Sequence, residues 1–505
     1  MKPFIWTFIL LLYCTIAALP ATLDTAKANR IRHMTIQGLE MAYNLDLDGA
    51  DKLFDEAQAI EPLHPRPMLG KASIRFWRLM IQHDDGSYDR FVDEMDNVID
   101  TSEHYRDHYD TDADIYTCLG TAYAYRAFAH ARMKSYLKAA WDGKKSYDYF
   151  NDALQMDRNA YDAYVGVGIF HYFATFMPKA LQYLVAILGV PGDSERGLKE
   201  IGITAQKGIF SNVESKFCLA ELLPWYNENF DSSEVMIKQL VAAYPANSLF
   251  SFTLAVWQIR RNDVAEARDI LQKISREEHL PIPNARHYID YKLAECYFRL
   301  EEYGHAQECY ERFLQNYHDE VYVATANYRI GVCMDMLGKK SEAENYYKIA
   351  ADSKSKFGDD RYSSRRAAAL LKRSLGSDDS VLISAQNLSK SSRYDKALEL
   401  LARLKISAPS LVRTEVMYRI GETYYDRGSY GEALKSFQDV LSQHLPKSEE
   451  WMFPWAYYYS AMCDVKLGNK IEAKKFFEKT TDYDDYDFEH WLSYRTKREL
   501  ERLNK

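Results

Sequence analysis

At 505 residues the chain has room for several domains or one long array, and its 47% hydrophobic content is ample for a core. Only 14 Pro and 22 Gly argue against a turn-dense β fold. The formal charge of -9 and a pI near 5.9 argue against a general nucleic-acid binder, whose binding face is basic.

The first residues read as an export signal. Lys2 precedes an apolar stretch from Phe4 to Leu12, and small residues follow from Ala17 to Ala21. Residues 1–21 are therefore expected to be a signal peptide, with the periplasm or cell envelope as the destination. The alternative is an uncleaved anchor, because Ile5 to Leu19 falls only slightly short of a span of about 18–20 residues. Tyr13 is too bulky for a lipidation site at Cys14. None of the other six cysteines forms a CxxC pair, so buried free thiols are expected. Cys296 and Cys309, within one hairpin, are the pair that export could oxidise.

Beyond residue 21 a two-helix pattern recurs. The first helix carries a small residue on its packing face, and the second carries small and aromatic residues one turn apart. Residues 22–160 begin with Gly38, then Ala50, Phe54 and Ala57, closed by Pro62. A degraded pair around Trp77 follows, then a hairpin with Gly120, Phe150 and Ala153. Residues 161–208 break the pattern, with Gly166 and Gly168 in a helix and a short apolar helix over 179–190. Repeats resume over 209–353. The clearest runs from Val323 to Asp352, with Ile330, Gly331 and Met334, a turn at Gly338, then Ala343, Tyr347 and Ala350. This is the tetratricopeptide repeat of about 34 residues. Residues 354–379 read as a charged, irregular joint. Residues 380–505 hold the last repeats and a polar capping helix near Trp491 to Leu503. The expected fold is an all-α solenoid of roughly ten hairpins in a right-handed superhelix.

No enzyme motif stands out, so neither an enzyme nor a cofactor is expected. His104 and His108 have a spacing that could place two imidazoles on a metal, but they sit in a solvated acidic stretch. Asp110, Asp112 and Asp114 alternate like a calcium loop without its Gly and closing Glu, and read as a charged helix start. The apolar run 179–190 could lie on a membrane, although a buried helix suits its thin polar face better. One repeat position is distinctive. Three residues before the small residue stand Tyr291, Tyr328, Tyr418 and Tyr458, with Phe252 in a fifth repeat and Tyr288 and Trp455 beside the row. In such repeats that position is expected to face the concave groove, and the rings then bind a protein or peptide partner. The competing reading is packing between first helices. Lys and Asn would be needed there to clamp a peptide's terminal carboxylate, and they are absent.

The stretch 161–208 resembles a signature of the tetratricopeptide repeat protein 39 family, which includes fungal inclusion-body clearance proteins. The matching residues are Gly166, Gly168 and Phe170, then Met177 and Pro178, then Leu184, Gly189, Gly192, Asp193, Arg196, Gly197 and Leu198. The resemblance implies a non-catalytic protein of the cytosol or organelle surfaces. The export signal departs from that setting and points to a bacterial relative with a different task. The expected function is an interaction scaffold of an exported compartment, with binding of an apolar or glycan ligand as the alternative.

Overall fold

Small residues on one helix and rings on the next decide how this chain folds. The computed structural model describes residues 24–81, 85–109, 112–175, 192–227, 230–277, 285–317, 319–407, 409–446 and 449–504. Among the described residues there are 24 α-helices and no β-strand. The segment 1–21, Cys14, Asp110, Met177, Pro178, Leu184, Gly189 and the apolar run 179–190 lie outside the described residues. The chain divides into two compact units, Met1–Asn247 and Ser248–Lys505. That boundary falls inside the central block 209–353 as grouped from sequence.

In the N-terminal unit, Phe54 on the helix Leu47–Ile60 is fully buried. It fills a notch between Gly38 on Thr25–Tyr43 and Gly70 on Pro65–Ile81. A Cβ at these glycines would come within 2.5 and 2.7 Å of the Phe54 ring. Phe150, on Tyr136–Met156, is held in the same way between Gly120 and Gly166. Each ring thus locks its own hairpin and the next one, which a helix pair alone cannot do.

The signature residues occupy the tightest crossing. Helix Ala163–Ala174 meets helix Ser194–Lys207 backbone to backbone. A Cβ on Gly197 would lie 2.5 Å from the Gly168 carbonyl oxygen and 2.7 Å from the Tyr172 nitrogen. Asp193 caps the second helix by accepting from the Arg196 N–H at 3.0 Å. Beside the crossing, His171 is fully buried between Tyr147 and Glu200: its Nε2 lies 3.1 Å from the Tyr147 hydroxyl and its Nδ1 2.5 Å from Glu200. Arg196 Nε donates to the other Glu200 oxygen at 2.8 Å. Asp162 accepts from the backbone N–H groups of Ile209, Phe210 and Ser211 at 2.7–3.1 Å, tying the segment to the following hairpin.

Glu214, on Asn212–Asn227, gives this unit a pH dependence. Burial pushes its carboxyl up from 4.5 to about 7, against the Trp77 Nε1–H that donates to it at 2.8 Å. Between those two pH values the folded state keeps the proton and the unfolded chain releases it, so stability falls as pH rises through the window. Glu214→Gln keeps an acceptor for Trp77 and removes the penalty. Its unfolding free energy, from urea titration, should match the parent protein in acid and exceed it above neutrality by on the order of 3 kcal/mol. Parallel pH curves for the two proteins would refute this assignment.

The C-terminal unit continues the hairpins: Ser248–Arg260 with Val264–Ser275, Ala285–Arg299 with Tyr303–Asn316, and Val323–Met336 with Lys340–Ala351. After these come Ser377–Ser389 with Tyr394–Ser407, Ser410–Arg427 with Tyr430–Leu441, and Met452–Leu467 with Lys470–Thr480. The helix Glu489–Leu503 is the last described element of the unit. The stretch 354–379 differs from expectation, since most of it is a regular helix, Gly358–Arg373. Its charge is partly structural. Asp360 is fully buried and accepts from the N–H groups of Tyr322 and Thr325, both at 2.9 Å, and from the hydroxyls of Thr325 and Ser355. The turn after Val323–Met336 uses Gly338 at φ 79°, a conformation natural to glycine. Cys118, Cys218, Cys296, Cys309, Cys333 and Cys463 are all free thiols.

Candidate functional site

Each of the four row tyrosines is placed by the helix it shares with a close-packing small residue. All four rings are buried: Tyr291 is 7% exposed, Tyr328 6%, and Tyr418 and Tyr458 2% each. Each meets rings of its own second helix. Tyr291 lies 5.7 Å from Tyr310 and 5.2 Å from Phe313, and Tyr328 lies 6.2 Å from Tyr347. Tyr418 lies 5.8 Å from Phe437, and Tyr458 lies 5.7 Å from Phe477. The row is thus interhelical, which corrects its expected place on an open concave surface. The reason is angular: one residue along a helix turns the side chain by roughly 100°. The next position carries Lys292, Arg329, Arg419 and Tyr459.

Arg329, Arg419 and Tyr459 line an open cavity of about 530 Å³ within the C-terminal unit. Of the seven residues expected to bind a partner, Tyr418 and Trp455 also reach it. Tyr288 is half-buried against Tyr317 at 6.0 Å, and Phe252 packs on the central core. The cavity has an aromatic wall. Trp455 stacks on Trp491 at 5.5 Å and on Tyr459 at 6.1 Å, and its indole N–H donates to the Asp487 carbonyl at 3.4 Å.

The charged wall is contributed by separate hairpins. Arg419 donates to Glu422 at 2.6 Å and Glu415 at 3.3 Å, and lies over the Tyr418 and Trp451 rings. Lys390 pairs with Asp426 at 2.6 Å. Burial works against the Lys390 ammonium, yet Asp426 and Glu422 hold its pKa above the ordinary value. Burial would likewise raise Glu295, but Lys292 and Arg299 hold its carboxyl well below the usual range. Arg329 is different. Burial works against its charge, and its guanidinium lies 4.3 Å from the centre of the Phe298 ring. Among the described residues no carboxylate sits in direct salt-bridge contact with it, although Glu295 and Asp359 are near enough to feel its charge. The absence of Lys and Asn from the tyrosine position therefore says nothing against anion recognition, because the cavity draws its cations from other positions.

The two metal-binding candidates read from sequence make local contacts instead. The His104 and His108 rings stack at 4.1 Å, and His108 Nδ1 contacts the His104 carbonyl. No group of side chains arranged to hold a metal occurs among the described residues. Asp112 caps the helix Ala113–Arg132 by accepting from Asp114 N–H, and Asp114 pairs with Arg66. The sequence missed the cationic cavity lining and the His171–Glu200 pair, whose members lie 29 residues apart. The cavity's one readable signal was the Arg directly after Tyr328 and Tyr418 in two repeats.

Stacked two-helix repeats, each second-helix ring set against a small residue of a first helix, define a tetratricopeptide-repeat protein, and a tetratricopeptide repeat model matches residues 415–444. The Iml2/Tetratricopeptide repeat protein 39 model matches residues 90–418, well over half of the chain, and the chain belongs to that family. No curated protein matches it. Among solved structures, a tetratricopeptide repeat protein from Parabacteroides merdae is 16% identical over 58% of this chain and 100% of its own, with a TM-score of 0.27. Yeast Tom70 is 11% identical over 94% and 97% of the two chains, with a TM-score of 0.27. The Cut9-Hcn1 structure is 11% identical over 95% and 90%, with a TM-score of 0.30. These likenesses carry no functional weight.

Proposed function

We propose that this protein is a non-enzymatic scaffold which acts after export and holds a partner segment in the cavity of its C-terminal unit. Tetratricopeptide repeats generally mediate protein–protein interaction. The observation that carries the reading is Arg329, a cation set in a ligand-sized cavity beside stacked tryptophans and outside direct salt-bridge distance of the nearby Glu295 and Asp359. Arg and Trp are the residue types in which binding energy concentrates. Tyr418 and Trp455 belong to the same surface.

Co-purification of the full chain, followed by mass spectrometry of protein and lipid extracts, tests the proposal. A discrete protein partner supports it. A stoichiometric lipid or glycan without a protein overturns it in favour of a small-ligand carrier, the use that the Trp455 and Trp491 platform would then serve. With a partner identified, Arg329→Ala should weaken binding by on the order of 1–2 kcal/mol, at a melting temperature within a degree or two of the parent. Full affinity in that variant places the partner elsewhere.

Export carries its own expected result. N-terminal sequencing of the mature protein should begin between Ala18 and Leu23, given the apolar stretch after Lys2. An intact Met1 in a membrane fraction would mean an anchor instead.

A further inference from the structure

The first turns of the helix Tyr136–Met156 present three large apolar side chains to solvent. Tyr136 is 65% exposed, Leu137 84% and Trp141 66%. Leu137 and Trp141 are one turn apart and share a face. The helix buries its opposite side through Asp142, Gly143, Ser146, Phe150 and Ala153, so these residues are not a misplaced core stripe. Lysines surround them. Lys134 and Lys138 are exposed, and Lys145 lies over the Tyr123 ring. Lys144 pairs with Asp148. Between Lys134 and Lys145 the single carboxylate is Asp142, which is buried and held by Arg126 at 2.7 and 2.9 Å. It offers no negative charge to the surface.

The composition identifies the occupant. Protein interfaces are depleted in Lys, whereas a small Trp, Tyr and Leu cluster with a lysine rim is what seats at a lipid headgroup boundary. Lysines near such a boundary are drawn by anionic headgroups. We propose that this face docks on an anionic lipid surface, with Leu137 and Trp141 entering the interface and Lys134 and Lys138 facing the headgroups. The docking is independent of the cavity in the other unit.

Co-sedimentation of the full chain with phosphatidylcholine vesicles containing phosphatidylserine tests this, beside vesicles of phosphatidylcholine alone. Sedimentation is expected with the anionic vesicles, and it should weaken as salt rises. The double variant Leu137→Ser with Trp141→Ser should lose at least about tenfold in partitioning. Lys134→Glu with Lys138→Glu should lose at least about fivefold. Ile406→Ser, at an 84% exposed apolar residue far along the chain, should bind like the parent. All of these positions are exposed, so the variants should fold. Any one of three results overturns the proposal: no sedimentation above that of protein alone, equal binding to neutral vesicles, or undiminished binding by both double variants. The variant pairs also separate this face from any contribution of the N-terminus, which is the same in every variant.

Discussion

Gly197→Val is expected to unfold the N-terminal unit at temperatures where the parent protein is folded. The added side chain would start 2.5 Å from the Gly168 carbonyl oxygen and 2.7 Å from the Tyr172 nitrogen. Both are backbone atoms in helices, so no side chain can swing aside to make room. Overpacking that must be relieved by backbone movement belongs at the upper end of its usual range, about 3 kcal/mol or more. A control sits on the same helix. At Gly202 a Cβ would meet only Leu219 Cδ2, at 3.8 Å. Gly202→Ala should be neutral or stabilising by up to about 1 kcal/mol through helix propensity. Thermal melts followed by circular dichroism compare the two, and equal midpoints would show that the crossing is looser than described.

Tyr328→Ala should cost about 3–5 kcal/mol, the range for removing a buried aromatic ring. The ring is wedged against Tyr347, whose hydroxyl is anchored by Asp335 at 2.7 Å. Tyr347 in turn fills the notch at Gly331, where a Cβ would come within 2.5 Å of its ring. Removing Tyr328 leaves a void in this interlock rather than a bare surface. Tyr328→Phe retains the packing and loses only the hydroxyl's interaction with the nearby Arg366 guanidinium, a change of about 1 kcal/mol or less. Urea midpoints for the parent and both variants give the ranking. A normal midpoint for Tyr328→Ala together with weakened partner binding would return the ring to the groove.

The interlocking positions were legible in the sequence because they are chemically extreme. Gly38 with Phe54, Gly120 with Phe150, Gly331 with Tyr347 and Gly421 with Phe437 all meet as the repeat pattern requires. The direction of the tyrosine row was harder to read. A first helix in such a stack is covered on two sides, by its own second helix and by the next hairpin, so its apolar residues run nearly all round it. Helix Val323–Met336 buries ten of its residues, Tyr328 among them, and such a pattern leaves its open face unmarked. The cavity was illegible for another reason. Arg329, Lys390 and Arg419 come from three hairpins, and in a linear sequence a cation that lines a cavity looks like any solvated one. The helix Gly358–Arg373 was hidden similarly, because Asp360 reads as surface charge until the backbone N–H groups it receives are known.

The free thiols make the array readable as a set of local gauges. Cys118 reports on one unit, while Cys296, Cys309, Cys333 and Cys463 are strung through three hairpins of the other. Alkylation requires a thiolate, and burial pushes Cys309 up to about 11 and Cys333 and Cys463 to about 12. A folded hairpin is therefore silent to a thiol reagent, and each cysteine reacts only as often as its own repeat opens. Because stacked repeats depend on their neighbours alone, the order of labelling would locate the weakest link of the array. In an oxidising compartment, an opening that frees Cys296 and Cys309 together could close as a crosslink. A passing fluctuation would then be recorded as a permanent scar.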